Sequence, residues 1–68
     1  MKALTWHDIY DIVLSLEDLY PDEDVYHISF PDLWKKIIHL PDFSSDPNEC
    51  SEKILEAIQA AWLEERED

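Results

Sequence analysis

Glycine is absent from all 68 residues of the chain. Its absence excludes the Gly-rich phosphate loop and the dinucleotide fingerprint, which need backbone conformations that glycine supplies. A single cysteine, Cys50, excludes an intramolecular disulfide, and no Cys-x-x-Cys or Cys/His cluster offers a structural zinc site. Long apolar runs are also missing. Met1-Lys2-Ala3-Leu4-Thr5-Trp6 does not read as a signal peptide, and no stretch reaches transmembrane length. A soluble chain in a reducing, cytoplasmic setting is the expectation. Positive charge is scarcest in proportion: five Lys/Arg face seventeen Asp/Glu, for a formal net charge of -12. Over residues 5–24 there are seven carboxylates (Asp8, Asp11, Glu17, Asp18, Asp22, Glu23 and Asp24) and no Lys or Arg. A field of that sign repels nucleic acid and anionic lipid, and it attracts cations and basic protein surfaces.

What is present points to a fold. Hydrophobic residues make up 46% of the chain, too many for a disordered acidic tail, and residues 1–68 suffice for one small domain. A core of that size supplies a net stability of only about 3–5 kcal/mol. The expected class is mainly α: a small three-helix domain with at most a short extended segment between the first two helices. High like charge favours a monomer.

Three segments carry helical periodicity, each with one Trp. In the first, Thr5 is an N-cap candidate with Asp8 three residues on, and Leu4 and Ile9 occupy the hydrophobic-staple positions. Trp6, Ile9, Tyr10, Val13, Leu16 and Tyr20 recur at helical spacing, with Ile12 and Leu19 alongside, and Pro21 ends the run. An acidic turn follows, then a short segment over residues 25–30 that reads as extended. Pro31 and Asp32 suit the first turn of a second helix, with Leu33, Trp34, Ile37, Ile38 and Leu40 as its apolar side. Residues 42–47 form a loop with Phe43 as its anchor. The third helix starts at Asp46-Pro47 or restarts near Ser51, and Ile54, Leu55, Ile58, Ala61 and Trp62 make its stripe. Glu49 and Lys53 are spaced for an i,i+4 pair. Glu64, Glu65, Glu67 and Asp68 crowd the negative end of the helix dipole, so fraying is expected there.

Catalytic arrangements are poor. A nucleophilic Cys needs an electropositive setting, and Cys50 has none, so it reads as a small helix-start residue and the chain as no enzyme. The three Trp read as core clasps. Lys35-Lys36 is too small a basic pair for nucleic acid. Asp8, Asp11, Ser15 and Asp18 are spaced i, i+3, i+7 and i+10, on the side of the first helix away from its apolar stripe, and Asp22 continues the row. A solvated face usually mixes signs; this one lacks any counter-charge, which favours a functional acidic surface. Such a surface docks on basic protein with salt-sensitive association, or holds hard divalent cations weakly. His7, four before Asp11, is a candidate nitrogen ligand or a plain exposed residue. His27 and His39 have no evident partner. An acidic module that mimics nucleic acid is the alternative use of the same charge.

Leu4-Thr5-Trp6 with Asp8, Tyr20-Pro21-Asp22 with Asp24, Phe30 with Asp32, Asp42-Phe43, Asp46-Pro47, and Glu52-Lys53-Ile54-Leu55-Glu56-Ala57-Ile58 with Trp62-Leu63 form an ordered set running nearly end to end. Together they resemble the IscX family, small acidic accessory proteins of bacterial iron–sulphur cluster assembly. The resemblance implies a winged-helix-like helical domain without DNA binding. It implies a cysteine desulfurase as partner, with bacterial frataxin competing for the same basic surface, weak binding of ferrous iron, and a regulatory role. The docking face carries over to Asp8, Asp11, Asp18, Asp22 and Asp24, and metal contacts to Asp8, Asp11, Asp22 and Asp24. The chain departs from the family pattern at Ser44-Ser45, where more acids are usual, and at Val25, Ser29, Pro31 and Lys36.

Overall fold

The computed structural model describes residues 3–67. It has three α-helices, α1 (Ile9–Leu19), α2 (Phe30–Ile38) and α3 (Glu52–Glu67), with a 3-10 turn at Pro47–Glu49 before the last. The mainly α, three-helix expectation is met. Each helix contributes an apolar stripe to one core: Ile12, Val13 and Leu16 from α1, Leu33 and Ile37 from α2, and Leu55, Ile58 and Trp62 from α3. Leu4, Trp6, Val25, Ile28 and Leu40 close that core from the connecting segments.

The first helix begins later than the Thr5 cap implies. Thr5 and Asp8 bond to each other: the Asp8 Oδ2 accepts from the Thr5 backbone N at 3.1 Å and from its hydroxyl at 3.2 Å. The Thr5 hydroxyl in turn accepts from the His7 backbone N at 3.3 Å. These bonds close a single turn, and the helix proper starts at Ile9 with Asp8 as its N-cap. Trp6 therefore lies before α1 rather than in it. It is 2% exposed, its indole donates to the Asp46 carbonyl at 2.8 Å, and its ring meets Phe43 edge-on at 4.8 Å. Phe43 anchors its loop as expected, and its parallel bridge to Leu4 is the one isolated β-bridge among the described residues.

Two residues assigned to the core stripe of the first helix are on the surface: Tyr10 is 63% and Leu19 50% exposed. At 100° per residue the core of α1 centres on Ile12, Val13 and Leu16, and both residues fall at its edges. Residues 25–27 form a turn, so the expected extended segment has no strand in it. Ser29 caps α2 by accepting from the Asp32 backbone N at 3.3 Å.

The helix after Asp46-Pro47 restarts, as the second of the two readings had it. Asp46 caps the 3-10 turn through Asn48 N, and Ser51 accepts from Ile54 N at 3.3 Å to open α3. The break at Cys50 takes Glu49 off the α3 surface, so no ion pair with Lys53 forms among the described residues. The helix extends through Glu67, and Arg66 in its last turn is bonded across to α1. Asp68 lies outside the described residues. No helix among the described residues is long and apolar enough to cross a membrane.

Candidate functional site: an acidic surface around Leu19

The five carboxylates expected on the docking face occupy three kinds of environment. Asp8 is half-buried and its Oδ2 is committed to Thr5. Asp24 is exposed but takes His27 as partner, with Oδ2 2.8 Å from the His27 Nδ1 and Oδ1 accepting from its backbone N at 3.3 Å. That hydrogen bond holds the Asp24 carboxyl below its ordinary pKa. Asp11 is half-buried on α1. Asp18 and Asp22 are exposed, and neither side chain makes a hydrogen bond or ion pair among the described residues.

Tertiary structure gives Asp18 and Asp22 a common neighbour. One open depression is lined by Ser15, Asp18, Leu19, Pro41 and Asp42, and an adjoining one by Leu19, Tyr20, Pro21, Asp22 and Glu23. They share Leu19. The arrangement is an exposed aliphatic side chain flanked by two prolines and edged by carboxylates from α1, from the turn after it and from the loop after α2. The sequence stripe missed Asp42 and Leu19. Asp42 stands 24 positions from Asp18 in the chain, so helical spacing cannot pair them. Leu19 fits a helical stripe, and only its exposure in the folded chain moves it to the surface.

Two other acids of the same stretch are neutralised from afar. The Glu17 Oε1 accepts from the Trp62 indole at 2.8 Å and from Arg66 Nε at 2.8 Å. The Arg66 bond first, then the Trp62 bond, holds the Glu17 carboxyl below its ordinary pKa. Glu23 pairs with Lys36 from α2 at 3.2 Å, and the Lys36 ammonium lies 5.1 Å from the centre of the Tyr20 ring. For these two acids the counter-charge missing from residues 5–24 comes from α2 and α3.

The remaining candidates carry little chemistry. Cys50 is half-buried, its thiol donates to the Ser51 carbonyl at 3.4 Å, and burial pushes its pKa up, away from a reactive thiolate. The His39 ring nitrogen Nδ1 sits 2.7 Å from the Lys35 carbonyl. His7 is exposed. Glu64, Glu65 and Glu67 line a separate depression with Tyr10 and Ala61. Among the described residues no three His, Cys, Asp or Glu side chains come together as a metal site. Asp8, Asp11, Asp22 and Asp24 thus do not form a preformed cage for a resident ion.

The pattern of a family described as iron-sulphur cluster assembly matches residues 4–67. This chain belongs to that family. A curated relative, the uncharacterized protein PA3808 of Pseudomonas aeruginosa, is 45% identical over 65 residues, covering 96% of this chain and 98% of its own length. The family is one of assembly accessory proteins, and a role in iron–sulphur cluster assembly follows from membership. The match takes in the Asp8 turn, the acidic turn after α1 and the whole of α3.

Proposed function

We propose that this protein is a cytoplasmic regulator of iron–sulphur cluster assembly that acts by docking on the cysteine desulfurase, not by catalysis. The observation that carries this reading is the group of exposed carboxylates Asp18, Asp22 and Asp42 around Leu19. Unpaired acids on a chain of net charge -12 attract a basic protein surface over long range, and a central aliphatic contact gives the encounter a place to lock. Bacterial frataxin, acting on the same enzyme, would compete for that surface. Ferrous iron is cargo in this scheme: single carboxylates of the acidic face, with water completing the shell, would hold it weakly.

Charge reversal tests the reading. Asp18→Lys plus Asp22→Lys changes two exposed side chains that hold nothing in the fold, so the variant should keep its helical circular dichroism. Calorimetric titration into the host's cysteine desulfurase should then show binding for the parent that weakens with salt, and at least about ten-fold weaker binding for the variant. Equal affinity of the folded variant would refute the docking face.

A further inference from the structure

One side chain from the end of α3 reaches the acidic turn that follows α1. The Arg66 guanidinium donates from Nε to Glu17 at 2.8 Å, from Nη2 to the carbonyls of Tyr20 at 2.9 Å and Pro21 at 3.0 Å, and from Nη1 to the carbonyl of Glu23. Its Cζ lies 5.2 Å from the centre of the Trp62 ring, and the side chain is 24% exposed. The guanidinium fork suits this task, because its planar donors reach several acceptors at once. Apart from Arg66, the turn is tied down at its side chains by the Glu23–Lys36 pair, by Lys36 over the Tyr20 ring and by the Asp24–His27 bonds, and its carbonyls depend on Arg66. Its own backbone contributes one bond, Glu23 N to the Tyr20 carbonyl at 3.2 Å, and the carbonyls of Pro21 and Glu23 take no other donor among the described residues. Asp22, Glu23 and Asp24 repel one another along it. Without the cation, the carbonyls of Tyr20, Pro21 and Glu23 would lose their shared donor beside three adjacent carboxylates, of which Glu23 keeps Lys36 and Asp24 keeps His27 while Asp22 has no cation among the described residues.

We propose that Arg66 is a positioning residue for the docking face: it holds the 20–24 turn in the conformation that presents Asp22 and Asp24 to a basic protein surface. This inference rests on the docking reading and adds a cationic residue to an acidic interface. The two effects of removing Arg66 have opposite signs. Arg66→Gln makes the chain one unit more negative, so long-range attraction to a basic partner rises. The same change frees the turn, so docking must order it and affinity falls. A residue that merely added charge would show the first effect, and a positioning residue shows the second.

The experiment compares wild type, Arg66→Gln and Arg66→Lys by calorimetric titration into the cysteine desulfurase at fixed salt, with amide hydrogen exchange followed at residues 22–24 in the free proteins. Faster exchange at residues 22–24 and binding weakened about three- to ten-fold are expected for Arg66→Gln, despite its added negative charge. Arg66→Lys keeps the charge without the fork and should also weaken binding; it carries the test if Arg66→Gln does not fold. Binding by a folded Arg66→Gln or Arg66→Lys as tight as the parent's, or tighter, overturns the positioning role, whether or not the turn loosens. A wild type that does not bind brings down the docking reading itself, and this role with it.

Discussion

Glu17 shows how much one oxygen can hold in a core this small. Its Oε1 serves both the fully buried Trp62 indole and Arg66, and so ties α1 to α3. Glu17→Ala leaves the indole N–H without its acceptor and frees Arg66, at a cost of about 1–3 kcal/mol, towards the lower end because the Glu17 side chain is 35% exposed. Urea denaturation should show that loss. Glu17→Gln keeps an acceptor for the indole and removes the charge, which isolates the ionic part. The Glu17 pKa is lowered in the folded state, so its ionic contribution is complete above the unfolded value of about 4.3 and disappears as pH falls through the lowered folded value. The stability difference between wild type and Glu17→Gln should therefore be constant near neutrality and shrink in acid. A difference that grows on acidification would contradict the pairing. Asp24 and His27 form a similar bond in full solvent, where water and salt screen it, and it is assigned no role in stability.

At the scale of the elements, most helix boundaries follow from side chains acting on nearby backbone. Ser29, Asp46 and Ser51 each accept from a backbone N–H two or three residues on, and each opens a helix or a helical turn. Ser29→Ala should lower stability by about 1 kcal/mol, read as a fall in the thermal midpoint, without shifting the helical signal of the folded state. An unchanged midpoint would mean that Pro31 alone starts α2. The starts at Asp46 and Ser51 were legible because their partners are local, whereas the Ser29 cap was passed over for Pro31, and α2 begins one residue earlier, at Phe30. The start of α1 was misread for a related reason: the Thr5–Asp8 bonds satisfy the capping pattern whether one turn or a whole helix follows. The sequence cannot tell these apart, since what stops the first turn is Trp6 being drawn down onto Phe43 and the Asp46 carbonyl. The exposure of Tyr10 and Leu19 was hidden too, because a stripe gives the direction of a core and not its width.

Across the whole molecule, self-repulsion is the dominant electrostatic fact. The fold spans 28 × 26 × 16 Å, and the screening length at 10 mM salt is about 30 Å, so at low salt every carboxylate feels nearly all the others. At physiological salt that length falls to about 8 Å and only near neighbours interact. Raising salt from about 10 to 150 mM should therefore raise the thermal midpoint, by about 4–8 °C for each kcal/mol of repulsion removed. The same change should weaken the proposed docking on the desulfurase, because attraction to a basic partner is screened alongside the repulsion. A midpoint that falls with salt would show that the Glu17–Arg66 and Glu23–Lys36 pairs outweigh the general repulsion.

Composition and periodicity alone determined the helical class and the acidic character, because each depends on residue type and on spacings within one turn of helix. The same charge is the ground for proposing a basic partner. Which acids remain available to that partner was decided by tertiary structure. Glu17 and Glu23 belong to a run without a single local cation, yet both are paired, through Arg66 49 positions away from Glu17 and Lys36 on the next helix. Asp42, outside the stripe, joins Asp18 beside Leu19. Coulomb energy depends on distance in space, and a chain of 68 residues folded round one core brings nearly every charge within reach of every other.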